Sequence, residues 1–381
     1  MRVLIHALGA DMGGAIRHLR GFLPELAARA PGDEFTVLVR GYGALDNWPE
    51  NVRPLVVPPF GFPSTLRRLR FDSVEVPKIV REGGYDGVVS LTNNGPFHAG
   101  APHVNFQRNS LFFCPYFMQT LHGNRNAEVL LRRWALVRTM RGADAIVVPT
   151  KAMADMVREA VPEIAEKTLY VVRHGLAAAC YDEPLSPGKM ELLHRSGPWL
   201  VYPTHVAVHK GIEILFPMLA HLTGTHPDAT LFLTFSEEDW PSGVRRYKRQ
   251  IARLGLERNI VFLGRVPQAQ MGNLLRRMDL MVYPSLCESF GFSLLEGMAF
   301  GLPIVAAGTA VNRELSGDAA IYYEPMDPEG GARAVRAALV PETGQQMKER
   351  ARLRMEDFDW GWGRYVQEFL SILGSVLSHA H

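Results

Sequence analysis

The chain has 381 residues, which is too long for one ordinary domain and suits two. Hydrophobic residues make up 47% and charged residues 21%, so each half can bury a normal core. The net charge of +2 argues against nucleic acid as the default partner. The three cysteines are scattered and lack the paired spacing of a zinc site, and no metal is expected.

The N-terminus leads directly into a strand pattern, without the charged and then apolar segment of a secretion signal. No apolar run approaches the roughly 18 residues that a membrane helix needs. The expectation is therefore a cytoplasmic protein, with peripheral contact at the inner face of the membrane as the alternative if the acceptor is carried by a lipid.

The first half of the chain alternates strand and helix patterns. Residues 2–7 form a short apolar run typical of a parallel strand buried on both faces. The glycines that follow, at 9–14, match neither the G-x-G-x-x-G fingerprint nor a P-loop, and a tight turn is their simplest explanation. Further strands are predicted at 35–39, 86–91, 104–107 and 145–149, with a long helix at 126–141.

The second half repeats this alternation after an irregular, proline-containing stretch at 181–188, which is the best linker candidate. Strands are predicted at 199–202, 230–234, 260–263 and 280–283. This pattern predicts an α/β protein with two doubly wound domains that face each other across a cleft. We expect the domains at 1–180 and 190–360, with a helix at 364–381 packing back on the first.

One stretch, residues 283–307, stands out because carboxylates flank a glycine loop and a helix start. Glu288 lies in the loop and Glu296 in the helix. The start of a helix presents free N–H groups and the positive end of the helix dipole, which suits a phosphate-bearing ligand. Simpler explanations remain open: Ser293-x-x-Glu296 also reads as a capping box, and Glu288 as a solvated loop carboxylate. Lys210 precedes a predicted helix, where the dipole disfavours a cation.

The sequence around these carboxylates resembles that of the retaining glycosyltransferases of family 4, which have the GT-B fold of two Rossmann-like domains. The matching segments are 262–266, 278–285, 288–296, 297–307 and 312–320. The resemblance is strong over 199–325 and weaker over 1–176. It implies an enzyme of polysaccharide or glycoconjugate biosynthesis that moves a sugar from a nucleotide diphosphate sugar to a glycan, lipid-linked or small-molecule hydroxyl. The alternatives are a nucleotide-sugar 2-epimerase on the same fold and a relative that binds the nucleotide-sugar without catalysis.

Carried over residue by residue, the resemblance implies separate roles for three side chains. Glu296 would accept hydrogen bonds from the ribose hydroxyls, Glu288 would bind hydroxyls of the donor sugar, and Lys210 would bind the diphosphate leaving group. Other residues are assigned by resemblance to the donor side, where Arg265 and Val266 would lie beside the base and Gly13 and Gly14 would close over the diphosphate. The remaining members of this donor set are Phe290, Gly291, Phe292, Ser293 and His174.

Two positions depart from the family pattern. His205 stands where relatives carry an arginine, and a histidine binds phosphate less well at pH 7 because its ordinary pKa is near 6.5. Either His205 or His209 compensates, or Lys210 and the helix start carry the leaving group. The usual first-domain histidine is also missing, and Arg108 or Asn109 would take its place. No residue is arranged as a covalent nucleophile. The resemblance implies retention by front-face attack, which is the working hypothesis, and no metal or other cofactor is expected.

Two basic segments interleave arginines with large apolar residues, at 67–70 and at 132–141. Such a pattern suits either an anionic membrane surface or an ordinary solvated helix face over a core stripe. The arginines are Arg67, Arg68 and Arg70 in the first segment and Arg132, Arg133, Arg138 and Arg141 in the second.

Overall fold

The computed structural model of the chain describes residues 1–10, 13–41, 45, 47–61, 64–119, 126–175, 181–356 and 361–379. The chain divides into two compact units: Met1–Ala177 with Trp360–His381, and Ala178–Asp359. Each unit is built on its own parallel sheet. Among the described residues, no helix is long and apolar enough to cross a bilayer.

Within its described residues, the first unit contains seven parallel strands in the order β3-β2-β1-β4-β5-β6-β7. The central strands carry short runs of Val, Ile, Leu and Ala that are buried on both faces, as expected where helices cover both sides of a parallel sheet. The strands are β1 (Arg2–His6), β2 (Glu34–Val39), β3 (Val52–Val56), β4 (Gly87–Ser90), β5 (His103–Phe106), β6 (Ala145–Val148) and β7 (Thr168–Val171).

The helices of the first unit include the one predicted at 126–141. Thr150 caps the helix after β6, because its hydroxyl accepts a hydrogen bond from the backbone N–H of Met153. The helices are α1 (Gly13–Arg29), α2 (Ser64–Arg70), which continues through a π-helical segment (Phe71–Glu75) into α3 (Val76–Gly83), α4 (Pro115–Gln119), α5 (Asn126–Gly142) and α6 (Lys151–Ala160).

The C-terminal helix (Trp362–Ser378) completes the core of the first unit. Its Phe369 packs edge-on against Phe22 of α1, with ring centroids 4.9 Å apart. Trp362 lies so close to Gly21 that a Cβ there would meet the indole at 2.0 Å. The last helix of the chain therefore shares a core with the first one.

Over residues 181–356, the second unit contains six parallel strands in the order β10-β9-β8-β11-β12-β13. The strands are β8 (Trp199–Tyr202), β9 (Thr230–Leu233), β10 (Ile260–Phe262), β11 (Leu280–Tyr283), β12 (Ile304–Ala307) and β13 (Ala320–Tyr323). The helices are α7 (Pro187–Leu192), α8 (Ile212–Thr223), α9 (Pro241–Arg253), α10 (Gln268–Leu275), α11 (Phe292–Ala299), α12 (Ala310–Ser316), α13 (Pro328–Ala338) and α14 (Pro341–Glu356).

The stretch predicted as a linker, 181–188, packs instead against the second unit. Tyr181 and Leu185 are both buried. The backbone N–H of Glu183 donates to the carbonyl of Ala269 in α10, at 2.9 Å. The low periodicity that made this stretch a linker candidate concealed two apolar anchors, so its packing with the second unit was not predicted.

Candidate active site

The strand order of the second unit reverses between β8 and β11, so the crevice beyond their carboxyl ends is where a doubly wound sheet binds its ligands. The loops that follow these two strands are joined. The backbone N–H of Leu286 donates to the carbonyl of His209 at 3.0 Å. Gly211 has a φ of 62°, and a Cβ there would lie 2.5 Å from the carbonyl oxygen of Pro284. Only glycine fits this contact.

Lys210 and Glu288, one from each loop, form an ion pair with 2.6 Å between Nζ and Oε1. The same Oε1 accepts hydrogen bonds from the hydroxyls of Tyr283 at 2.9 Å and Ser285 at 2.6 Å. Lys210 and Glu288 expose 13% and 11% of their side chains. Lys210 and Glu288, to which the resemblance assigned separate roles, are therefore in direct contact, and Glu288 is not a solvated loop carboxylate.

The surroundings of Glu288 keep its carboxylate ionised. Burial on its own would raise its pKa, but Lys210 and the hydrogen bonds from Ser285 and Tyr283 outweigh burial and hold the pKa below its ordinary value. Burial, together with the charge on Glu288, raises the pKa of Tyr283 well above its ordinary value, so this hydroxyl stays a donor. The site thus holds one anion and one cation at neutral pH.

His205 and His209 lie in the loop after β8, with ring centroids 6.4 Å apart. Partial burial and the nearby positive charge of Lys210 lower the pKa of His205, and the same causes lower the pKa of His209 to about 4. Both imidazoles are therefore neutral at pH 7, and Lys210 is the cation of this loop. Among the described residues, no group of three His, Cys, Asp or Glu side chains is placed to hold a metal ion.

Glu296 lies inside α11, and only 5% of its surface is exposed. Its Oε1 accepts hydrogen bonds from the hydroxyl of Tyr181 at 3.2 Å and from the side-chain amide of Gln268 at 3.0 Å. The capping-box interpretation was wrong, because Gly291 is the N-cap of α11 and Ser293 is its second residue. Sequence spacing identified the helix start but placed it two residues too late.

The start of α11 depends on Gly291, whose φ is 65°. A Cβ on Gly291 would lie 3.2 Å from the hydroxyl of Tyr283, the group that donates to Glu288. The ring of Phe290 is buried and packs edge-on against half-buried Phe292 at 5.2 Å. The helix start and the Glu288 site therefore share a wall. The remaining predicted base contacts follow β10, where Arg265 is exposed and Val266 is buried.

In the first unit, Asn93 organises the loops that follow β4 and β5. Its φ is 67°, and its side-chain oxygen accepts hydrogen bonds from the backbone N–H groups of Arg108 at 2.6 Å and Asn109 at 2.9 Å. The guanidinium of Arg108 donates to Nε2 of His174 at 3.4 Å. Burial lowers the pKa of Arg108 to about 10, so this side chain remains charged at pH 7.

His174 and Gly13 and Gly14 were assigned to the donor by resemblance, and all three belong to the first unit. His174 is buried, and burial together with Arg108 lowers its pKa well below the ordinary value. Its ring lies 5.2 Å from that of His18, a fully buried histidine of α1. Gly13 and Gly14 are the first two residues of α1.

The hydrogen-bond partners of both carboxylates escaped the sequence analysis. Tyr283 and Ser285 flank Pro284, and the three-residue spacing from Ser285 to Glu288 is a signal that a local hydrogen bond was available. Tyr181 and Gln268 carried no such signal, because they approach Glu296 from other elements. Asn93 was visible only as a polar residue after a strand.

Two family models match this chain. The model described as "Glycosyltransferase Family 4" matches residues 12–178, and "Glycosyl transferases group 1" matches residues 192–354. Together the matched regions take in most of both units. The chain belongs to the family 4, group 1 glycosyltransferases.

Individual relatives agree with this assignment. The glycogen synthase of Mycobacterium tuberculosis is 31% identical over 229 residues, which are 58% of this chain and 52% of that protein. The structure of sucrose-phosphate synthase from Thermosynechococcus elongatus matches with a TM-score of 0.74 at 15% identity, over 100% of both chains. Anabaena HepE in complex with UDP-glucose matches with a TM-score of 0.70 at 21% identity, over 97% of this chain and 99% of that one.

These likenesses establish the GT-B fold that the sequence predicted. The chain spans about half the length of the curated relatives it matches in sequence.

Proposed function

We propose that this chain is a glycosyltransferase that moves a sugar from a nucleotide diphosphate sugar to a hydroxyl group of a glycan, a lipid-linked sugar or a small molecule. The observation that carries the proposal is the Lys210–Glu288 ion pair at the switch point of the second unit. A buried carboxylate with a cation beside it offers one group for sugar hydroxyls and another for a departing diphosphate. Family membership supports the same conclusion.

In this proposal the bound donor separates Lys210 from Glu288. A diphosphate oxygen takes the place of Glu288 on Lys210, and the released carboxylate accepts hydrogen bonds from the sugar. Tyr283 and Ser285 keep Glu288 oriented while this exchange occurs. Glu296 binds the ribose hydroxyls, for which Tyr181 gives way or shares the carboxylate.

Front-face attack would then retain the anomeric configuration. The oxygen of the acceptor hydroxyl bonds to the anomeric carbon as the bond from that carbon to the phosphate oxygen breaks, and the hydroxyl proton passes to the leaving phosphate. Lys210 at about 4 Å from the phosphate, with an effective dielectric constant of about 20, contributes about 4 kcal/mol of attraction. We propose that this charge, with the helix start of α11, replaces a metal ion.

Donor binding is the first test. A panel of UDP-, GDP- and dTDP-sugars is screened by thermal denaturation of the full chain, beginning with UDP-glucose because HepE, a neighbour in fold, binds it. A donor at 100 times its Kd adds about 2.7 kcal/mol to the free energy of unfolding. Glu296→Gln should lose most of this stabilisation, whereas Glu257→Gln, an exposed carboxylate of the same unit, should retain it.

Transfer is the second test. With donor and acceptor present in EDTA, we expect a glycoside whose anomeric configuration, read by NMR, matches that of the donor, and we expect Glu288→Gln to abolish most of it. A new nucleotide-sugar formed without acceptor would identify an epimerase instead. Donor binding without any product would identify a non-catalytic relative. Arg108→Gln and Asn109→Ala, compared in the same assay, decide which of the two takes the place of the missing first-domain histidine.

A further inference from the structure

Two neighbouring helical segments of the first unit present large apolar side chains to solvent. On α2 and its π-helical extension, Leu66 and Val74 are 54% and 53% exposed. On α5, Leu130 and Trp134 are 52% and 51% exposed. Each of these side chains leaves about half its surface in water, so none of them is a core residue, and their burial elsewhere would be favourable.

The exposed residues recur at helical spacing. In α5, residues 130, 134, 138 and 141 are separated by four, four and three positions, so Leu130, Trp134, Arg138 and Arg141 share one face. On the other segment, residues 67 and 70 are three positions apart in α2, residue 66 is adjacent to 67, and residue 74 follows in the π-helical extension, about one turn after 70. Each face therefore mixes apolar and guanidinium side chains rather than separating them.

The two segments lie side by side, because the hydroxyl of Thr65 donates to Glu128 at 3.2 Å. Glu128 is also paired with Arg132 at 2.6 Å, which neutralises the acidic residue at this junction. We define the basic–apolar surface as Leu66, Arg67, Arg70, Val74, Leu130, Trp134 and Arg141.

The arginines of the basic–apolar surface carry uncompensated charge. Within the described part of the chain, no carboxylate lies within ion-pair distance of Arg67, Arg70 or Arg141, and all three are exposed. By contrast, Arg352 on α14 of the second unit is paired with both Glu349 and Glu356. The charge on the first surface is thus available to an anionic partner.

Trp134 is oriented by its neighbours. Its ring packs edge-on against Phe97 at a centroid distance of 5.5 Å. The guanidinium of Arg138 lies 5.9 Å from the same Phe97 ring. A tryptophan supported from behind and half open in front, beside cationic side chains, is the combination found where a protein meets the headgroup region of a bilayer.

We propose that the basic–apolar surface docks the first unit on a membrane that contains anionic lipids. Arginines at such a surface are attracted to the lipid phosphates, while Leu, Val and Trp side chains enter the headgroup boundary. Charge complementarity selects this partner over a neutral bilayer. The aliphatic side chains select it over a soluble polyanion, which would leave Leu66, Val74 and Leu130 without a role. The proposal does not depend on the transferase reaction.

The test is co-sedimentation of the full chain with vesicles of phosphatidylcholine alone or mixed with phosphatidylglycerol, without nucleotide-sugar. We expect binding to the anionic vesicles only, and loss of that binding in high salt. Arg67→Gln with Arg70→Gln should weaken binding about 25-fold, at about five-fold for each arginine. Leu130→Ser with Trp134→Ser should weaken it at least about ten-fold.

Matched controls come from the second unit. Arg249→Gln with Arg253→Gln removes two exposed arginines four positions apart on α9, and Leu353→Ser removes an apolar side chain that is 48% exposed. Neither change should alter vesicle binding. The proposal is overturned if the parent chain ignores anionic vesicles, or if the controls weaken binding as much as the surface variants. Self-association that Leu130→Ser with Trp134→Ser abolishes, without vesicle binding, would instead assign the surface to a second copy of the chain.

Discussion

Removal of Lys210 should expose the cost of burying Glu288. At the 2.6 Å separation of the pair and an effective dielectric constant of about 20, the attraction is about 6 kcal/mol, and it offsets the desolvation of both ions. Loss of one partner from a buried pair typically costs about 3–5 kcal/mol. Because Lys210 and Glu288 each keep about a tenth of their surface, we expect Lys210→Met to cost about 3 kcal/mol.

The measurement is urea unfolding of four proteins: the parent, Lys210→Met, Glu288→Gln and the double variant. We expect the double variant to be less destabilised than the sum of the single changes, because it leaves no unpaired charge. The control is Lys248→Met, which breaks a Lys–Glu pair of nearly equal length, 2.7 Å, whose side chains are far more exposed. That change should leave the free energy of unfolding unaltered within error.

The pH dependence of the stability of Lys210→Met gives an independent check. In the parent, the pKa of Glu288 is held below its ordinary value, so its contribution to stability is present above the unfolded pKa and is lost as the pH falls through the folded one. Without Lys210, burial acts against two hydroxyl donors alone and the pKa rises. The stability difference between parent and variant should therefore shrink as the pH falls towards the ordinary carboxyl pKa. A constant difference, or strict additivity in the double variant, would refute the electrostatic explanation.

Two further changes test packing. Gly211→Ala should destabilise the second unit by at least about 1–3 kcal/mol, because its positive φ is combined with a 2.5 Å approach to Pro284. The control is Gly255→Ala, which measures the backbone cost alone, because Gly255 has a similar φ of 68° and open space around it. Equal losses of stability in urea unfolding would contradict the steric clash at Gly211. His18→Phe should leave stability at pH 7 unchanged or higher, since His18 is fully buried and neither ring nitrogen has a hydrogen-bond partner within the described part of the chain. Burial keeps the folded pKa of His18 well below 6.5, so this residue makes the parent lose about 1.4 kcal/mol of stability per pH unit as the pH falls through 6.5. An equally steep loss in the His18→Phe variant would show that other groups are responsible.

The sequence predicted the fold class because parallel strands buried on both faces leave a direct trace in the text. Runs such as residues 145–148 and 280–283 are short, apolar and bounded by helix patterns, and each is a strand of a parallel sheet. The order of the strands in each sheet could not be predicted in this way, because it depends on how the layers of helices and strands pack against one another. The packing of the irregular stretch at 181–188 was not predicted either, because its two apolar residues are too few to form a pattern, yet both are buried.

The candidate site was predicted less completely than the fold. Resemblance supplied Glu288, Glu296 and Lys210, but not that one oxygen of Glu288 holds three donors at once. Such convergence is a property of distances between side chains, and it is invisible in a linear motif. The neutral state of His205 and His209 likewise follows from burial and from Lys210 nearby, which a residue list does not contain.

The C-terminal helix has a consequence for synthesis of the chain on the ribosome. The second unit, Ala178–Asp359, is continuous and can fold as soon as it emerges. The first unit is synthesised earlier, but it lacks Phe369 and its neighbours until the helix Trp362–Ser378 has been translated. Until then the contact between Phe22 of α1 and Phe369 cannot form. At about 5–20 residues per second, that interval lasts roughly 10–40 seconds. The unit that is translated first is therefore the one that completes its core last.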